Sequence, residues 1–209
     1  VTRKIYSVCG KDCVCSGRGN QRPFRAPHYS TSIPALIGGG SGDSILPGEV
    51  SLAHNGVLFL DEFAQLPRSV IESLRGPLED RKVVVSRLRT KVEFPASFML
   101  VAASNPCPCG YYGEVDRCTC SPSRREEYFS KLSGPIMDRM DLQVFVRRVQ
   151  SLNITEQGRE SSAVIAERVR KARMVQARRF REEGIFTNSE MNLRLLSKYC
   201  SLNDRLSEV

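Results

Sequence analysis

One short apolar run that ends in two acids constrains the fold of this chain more than any other stretch. Residues 57–60 are Val-Leu-Phe-Leu, and Asp61 and Glu62 follow directly. Such a run predicts a strand buried on both faces, as in the parallel sheet of an α/β protein. Ligands of these proteins bind beyond the carboxyl ends of the strands, where the two acids would lie.

Two carboxylates at that edge suit a nucleotide site. Asp61 would hold Mg²⁺, and Glu62 would orient or deprotonate a water aimed at a phosphate. Many α/β strands end in acids, so the motif alone leaves a structural role open. The phosphate-binding loop that should accompany it ends in Gly-Lys-Ser/Thr, but the only Gly-Lys pair, Gly10-Lys11, is followed by Asp12.

The amino-acid composition excludes few classes of protein. A hydrophobic content of 41% is enough for a core, and no run approaches the ~20 apolar residues of a membrane span, so no membrane partner is expected. The net charge of +8 permits a nucleic-acid partner, and it suits an ordinary basic protein equally well. The eight cysteines cluster in short spacings, which indicates metal or free thiols in a reducing cytoplasm.

The order of predicted elements strengthens the nucleotide interpretation. After the first strand come a helix with Leu66, Val70, Leu74 and Leu78 on one face, a hairpin over 82–95, and a second buried strand over 98–103. Asn105 follows that strand, where it would help to place the attacking water or merely cap a turn before Pro106. A helix over 124–132 and a strand over 142–146 complete an α/β domain.

The flanking segments are predicted to be different. Residues 1–21 are polar and irregular, and residues 22–48 resemble a long ordered insertion with one helical turn. From about residue 150 the composition favours helices, one over 160–182 and one from an N-cap at Ser189 to Lys198. We therefore expect an α/β domain over 1–149 and a helical domain over 150–209.

Arg139 lies just before the predicted strand at 142–146. An arginine placed there can project from a domain and stabilise transition-state charge on a neighbouring subunit's nucleotide. From spacing alone, a local ion pair with Asp138 or Asp141 is the simpler interpretation.

Four motifs in order carry a specific resemblance. They are Arg-Pro-Phe-Arg-Ala-Pro-His (22–28), the stretch from Leu46 to Glu62, Ala-Ser-Asn-Pro-Cys-Pro-Cys-Gly (103–110), and Ser-Gly-Pro-Ile-Met-Asp-Arg-Met-Asp-Leu (133–142). Over about residues 22–205 the chain resembles the magnesium-chelatase-like AAA+ ATPases of the competence-protein ComM subfamily. The resemblance implies a partial AAA+ P-loop NTPase core, with a helix-2 insert near 22–48 and a pre-sensor hairpin at 82–95, followed by part of a helical lid.

The resemblance also implies roles. Asp61 and Glu62 would be the Walker B pair for ATP and Mg²⁺, Asn105 sensor 1, and Arg139 the arginine finger. Members form homo-oligomeric rings, usually hexamers, that move DNA and promote branch migration during recombination of incoming DNA. The alternative is a chelatase-type ATPase that remodels a protein partner. The phosphate-binding loop is expected upstream of Val1 and the sensor-2 arginine beyond Val209, so we expect the isolated chain to be inactive.

A cysteine cluster begins within the third of these motifs and extends beyond it. Two Cys-x-Cys pairs, Cys107 with Cys109 and Cys118 with Cys120, are separated by eight residues. Four thiolates closing on one another would form a tetrahedral Zn²⁺ site, although Cys-x-Cys is tighter than the usual spacing. The alternative is four reduced thiols in a loop; Cys9, Cys13 and Cys15 are interpreted as free thiols.

Basic residues mark two candidate DNA contacts. Near the hairpin tip lie Lys82, Arg87, Arg89 and Lys91, which we expect to meet DNA phosphates if a ring threads DNA. The arginine-rich helix over 160–182 would also reach DNA, but interleaved glutamates favour an ordinary solvated face. His28 and His54 are expected to be structural.

Overall fold

The chain divides into two compact units in a computed structural model. The first unit is Val1–Phe145 and the second is Val146–Val209. The described residues are 1–10, 22–40, 45–86, 91–113, 116–132, 134–146 and 160–200. The domain boundary predicted at 149–150 falls within residues 147–159, outside the described residues, and stays a prediction.

A three-stranded parallel sheet forms the centre of the first unit. The strands are β1 (Phe24–Arg25), β4 (Val57–Leu60) and β7 (Met99–Ala102), in the order β1-β4-β7. The register pairs Leu60 with Ala102, so β4 and β7 end side by side. The parallel sheet with flanking helices confirms the predicted α/β class.

The sheet is packed on one face and open on the other. Leu58 and Leu60 are buried in the main core, whereas Phe59 is half-buried and Met99 and Val101 are exposed. The prediction of strands buried on both faces is therefore wrong for the described part of the chain. Side chains alternate across a strand, and the described helices pack against only one set of them.

Two helices after β4 supply much of that packing. α4 (Arg68–Ser73) and α5 (Arg75–Asp80) meet at Leu74, and the predicted apolar stripe faces the core. Burying a leucine contributes roughly 1.5–3 kcal/mol, so this stripe is a main source of stability. The break lies at Leu74 because Pro77 has no backbone N–H to donate to the Ser73 carbonyl four residues earlier.

The segment before β4 contains more regular structure than its sequence predicted. It comprises α2 (Ile33–Ile37), β2 (Gly38–Gly39) paired antiparallel with β3 (Leu46–Pro47), and α3 (Glu49–Leu52). The N-terminal residues, predicted irregular, form α1 (Thr2–Val8). Tyr6 is 2% exposed and donates a hydrogen bond from Oη to the Leu52 carbonyl (2.9 Å), which docks α1 onto α3.

The predicted hairpin forms from β5 (Lys82–Ser86) and β6 (Lys91–Pro95). Val83, Val85 and Phe94 point into the core, and the alternating residues face outward. Its tip, residues 87–90 with Arg87 and Arg89, lies outside the described residues.

Two short helices follow the cysteine loop. They are α6 (Pro122–Ser130), capped by Ser121, and α7 (Gly134–Met137). The strand predicted at 142–146 is wrong, because these residues join no ladder in the described structure. Leu142 and Val144 are 87% and 81% exposed, so their apolar pattern lacks the neighbouring strand that would bury it.

The second unit is helical over its described residues. α8 (Ser162–Arg179) precedes a 3₁₀ turn (Asn188–Glu190) and α9 (Leu193–Tyr199). The N-cap of α9 is Asn192, whose side chain accepts from the Leu195 N–H, rather than the predicted Ser189. No helix among the described residues is long and apolar enough to cross a bilayer.

Candidate functional site

The two acids lie at the carboxyl end of β4. Asp61 is exposed, and its Oδ1 accepts a hydrogen bond from the Glu62 N–H (2.8 Å). That bond leaves the second carboxylate oxygen of Asp61 for another partner. Exposed carboxylate oxygens fit Mg²⁺, which prefers hard oxygen ligands and keeps several waters. The residues present therefore fit the metal half of a nucleotide site.

Glu62 has an unusual backbone conformation. Its φ and ψ are 51° and 41°, in the left-handed region that residues other than glycine seldom occupy. The strand ends in this turn because the next residue is tied back to the sheet, with the Phe63 N–H donating to the Ala103 carbonyl (2.8 Å). A non-glycine residue held in this region costs of order 1–3 kcal/mol and is found often at functional sites.

Asn105 lies at the same edge of the sheet. The Ala103 N–H donates to the Leu60 carbonyl (2.9 Å), which extends the ladder past the end of β7 and sets the residues after Leu60 beside those after Ala102. Asn105 is exposed two residues further along. Asn105 therefore follows β7 on the carboxyl side of the sheet, as the two acids follow β4, and an amide there can help to place a water.

Arg139 is held by a partner that its sequence neighbourhood did not suggest. Its guanidinium donates from Nη2 to Glu79 and from Nη1 to the Pro135 carbonyl (2.6 Å). The ion pair joins α5 to the turn after α7. The simpler prediction, a pair with Asp138 or Asp141, does not appear among the described contacts of Arg139. The Arg139 side chain is 23% exposed to solvent.

The four cysteines of the loop converge. Their Sγ atoms all lie within 4.8 Å of one another, with Cys107 and Cys120 buried. A hydrogen bond from the Tyr111 backbone N–H lowers the pKa of the Cys109 thiol to about 6. Burial raises the pKa of Cys120 to about 11. The group could therefore bind a metal ion through sulfur.

The hairpin presents basic residues at its described outer edge. Lys82 pairs with Glu93 across the strands at 3.0 Å, and Lys91 is exposed next to the tip. A hydrogen bond with Glu93 raises the pKa of Lys82. Arg87 and Arg89 lie outside the described residues, so their role as DNA contacts stays a prediction.

Both histidines make local hydrogen bonds. His54 is 9% exposed, its Nδ1 accepts from the Ser97 N–H (3.1 Å), and burial lowers its pKa. His28 lies 2.8 Å from the Ser30 hydroxyl through Nδ1 and packs on Tyr29. These contacts agree with structural roles.

Sequence reasoning missed two residues that support the site. Glu49 accepts two hydrogen bonds from Arg25, at 2.5 and 2.7 Å, and so ties β1 to α3. Tyr128 of α6 is 7% exposed and its hydroxyl lies 3.3 Å from that of Ser104, next to Asn105. Arg25 and Glu49 are in two of the ordered motifs, which was the available signal; nothing in the sequence pointed to Tyr128.

Comparison with known proteins shows the family of this chain. The family model described as "Magnesium chelatase, subunit ChlI" matches residues 1–154, and the model of its C-terminal part matches residues 159–209. Competence protein ComM of Haemophilus influenzae is 45% identical over 187 residues, which are 88% of this chain and 35% of that protein. The YifB protein of Salmonella typhimurium is 41% identical over 202 residues, or 95% of this chain and 38% of its own length.

A more distant match extends the set. DNA replication licensing factor mcm-6 of Caenorhabditis briggsae is 30% identical over 95 residues, 46% of this chain and 11% of that protein. The chain thus spans little more than a third of the length of the two bacterial relatives it matches over most of its own residues. With one family model covering most of its residues and a second matching its C-terminal part, the chain belongs to the magnesium chelatase subunit ChlI family, in its ComM-like branch.

Proposed function

We propose that this chain forms the hydrolytic part of an ATP-driven AAA+ motor that acts on DNA. One observation carries the proposal: β4 and β7 are adjacent parallel strands in register, and their carboxyl ends bring Asp61, Glu62 and Asn105 to one edge. An acid pair for Mg²⁺ and water, with an amide beside it, is the arrangement that phosphoryl transfer to water needs.

Each residue then has a defined task. Asp61 would hold Mg²⁺, which would neutralise charge on the phosphates, and Glu62 would accept a proton from the attacking water. Asn105 orients that water, and Arg139 of one subunit stabilises charge on the nucleotide of the next. The backbone donors and lysine that grip the β- and γ-phosphates are supplied by a loop that these 209 residues do not contain. We therefore infer that the isolated chain does not hydrolyse ATP.

DNA is the proposed substrate of the motor, and the motor is proposed to be a homo-oligomeric ring of six subunits. The name of the H. influenzae relative links it to competence, and that of the C. briggsae relative to DNA replication. The basic hairpin residues, Lys82, Arg87, Arg89 and Lys91, are the proposed phosphate contacts within the ring. Branch migration is the proposed outcome of ATP-driven movement along joined DNA strands.

A second candidate function has its own support. The family model is named for a magnesium chelatase subunit, which favours an ATPase that remodels a protein partner during metal insertion. Both functions use the same carboxylates and differ only in what the motor moves.

ATP turnover by the full-length protein separates the two candidates. We expect turnover to rise at least about tenfold when DNA is added. In a DNA motor the conformational step that limits ATP turnover is coupled to DNA binding. A matched polyanion such as heparin controls for charge alone. Turnover that is unchanged by DNA contradicts the DNA motor and leaves the protein-remodelling function; an absence of turnover contradicts both.

A further inference from the structure

Two Cys-x-Cys pairs meet in the loop between β7 and α6. The sulfur of Cys107 lies 3.3 Å from that of Cys109 and 3.9 Å from that of Cys118, and Cys109 and Cys118 are 3.8 Å apart. With Cys120 included, all four sulfurs lie within 4.8 Å of one another. The start of the loop, with Cys107 and Cys109, therefore meets its end, with Cys118 and Cys120, at the thiols.

These separations lie on both sides of the value expected for four sulfurs around a single metal ion. Four sulfurs placed ~2.3 Å from a central Zn²⁺ in a tetrahedron are ~3.8 Å apart. A disulfide needs its two sulfurs at ~2.05 Å, and all four cysteines are free thiols. An iron–sulfur cluster spreads its cysteine ligands further, because sulfide and several irons lie between them.

The loop backbone is shaped around the first pair. In Cys107-Pro108-Cys109-Gly110 the Gly110 N–H donates to the Cys107 carbonyl (3.0 Å), and Gly110 has φ +81°. That left-handed position closes a tight turn, so both sulfurs of the pair face the same side. Across the loop, the Arg117 guanidinium lies 4.6 Å from the centre of the Tyr111 ring, which joins the two arms a second time.

The surroundings favour a closed, structural site. Cys107 and Cys120 are 0% and 8% exposed, so half of the ligand set is shielded from solvent. Four protein ligands leave no open position for a substrate, which is how structural zinc sites differ from catalytic ones. Soft thiolates select zinc over the hard cations that carboxylates hold.

The cysteine cluster lies between Asn105, which follows β7, and the start of α6. Cys107 comes two residues after Asn105, and Cys120 directly precedes Ser121, the N-cap of α6. α6 carries Tyr128, whose hydroxyl approaches Ser104. We propose that Cys107, Cys109, Cys118 and Cys120 bind one structural Zn²⁺ that fixes Asn105 and the start of α6 relative to each other.

Metal content of the full-length protein, purified without chelators, tests the ligand set. We expect about one zinc per chain by elemental analysis. Cys109→Ser and Cys118→Ser, which alter the two half-exposed ligands, should each weaken zinc binding at least about tenfold. Cys200→Ser, at an exposed cysteine in the other unit, is the matched control and should keep the zinc.

Cobalt gives a readout that needs no variant. Co²⁺ exchanged into the wild-type protein should show the intense visible bands of a tetrahedral tetrathiolate site. Folded wild-type protein that is free of zinc, that contains iron in its place, or that shows a disulfide within the cluster by mass overturns the proposal. Zinc that persists equally in both ligand variants does the same.

Hydrogen exchange tests the positioning role separately from ATP turnover. After chelation, the hydrogen-bonded amides of Ala103, two residues before Asn105, and of Arg124 should exchange at least about tenfold faster, while those of α8 should be unchanged. Neither metal binding nor hydrogen exchange uses ATP, so failure of this proposal is distinguishable from failure of the proposed motor. Unchanged exchange at Ala103 and Arg124 would show that the metal does not hold these elements together.

Discussion

At the residue scale, the candidate site depends on three polar residues, Asp61, Glu62 and Asn105. Asp61 and Glu62 are consecutive and follow β4, and Asn105 lies three residues after β7, the adjacent parallel strand. The left-handed backbone of Glu62 was not predictable, since glutamate has no preference for φ 51°. That conformation arises from the bond between Phe63 and Ala103, a tertiary contact.

Arg139 shows where residue-level reasoning from sequence ends. Its acidic partner Glu79 lies 60 residues earlier, and the nearby Asp138 and Asp141 were the only visible candidates in the sequence. The ion pair leaves two possible roles for Arg139. If Arg139 serves only to pair with Glu79, removing either residue should have the same effect.

Substitution of both partners answers that question. Arg139→Ala in the full-length protein should lower ATP turnover by about 10³-fold, because transition-state charge loses its stabilising guanidinium. Glu79→Gln, which removes the same ion pair, should keep turnover within about threefold, since an exposed pair contributes only ~0–1 kcal/mol. Equal losses of turnover in the two variants would assign Arg139 a structural role instead.

At the element scale, prediction succeeded where the periodic pattern was long or the pairing local. The stripe through Leu66, Val70 and Leu74 and the 82–95 hairpin are both observed. Prediction failed where distant contacts decide: α1 is stabilised by the contact of Tyr6 with Leu52, and β1 is two residues long and exists by pairing with β4. The run at 142–146 has strand-like residues but no partner strand among the described residues.

The hairpin is the element through which we expect the motor to contact DNA. Reversing both tip charges, Arg87→Glu with Arg89→Glu, should lower the slope of log K against log[salt] for DNA binding by about 2. The reason is that counterions are released when a basic residue contacts a phosphate, so fewer are released when two contacts are lost. A double reversal on α8, Lys171→Glu with Arg178→Glu, changes the net charge equally and should leave the slope nearly unchanged.

Two results would contradict this assignment. An unchanged slope in the hairpin variant would place the phosphate contacts elsewhere. An equal decrease in the α8 variant would show that overall charge, rather than the hairpin, governs binding.

At the scale of the whole molecule, the parallel sheet is incomplete as an isolated layer. Phe24, Met99 and Val101 are 63%, 58% and 41% exposed on its open face. Parallel sheets are normally covered on both faces. Together with a match to little more than a third of the bacterial relatives, this supports the proposal that the chain works within a longer polypeptide.

The central claim is that the carboxyl edge of β4 and β7 hydrolyses ATP. Its most direct test compares nucleotide binding and turnover in full-length Glu62→Gln with those of the wild type and of Glu126→Gln, an exposed control on α6. We predict that Glu62→Gln keeps ATP affinity within a few-fold and loses turnover by about 10²–10⁴-fold, because only the proton acceptor is removed. Turnover of Glu62→Gln equal to that of the wild type would contradict the account.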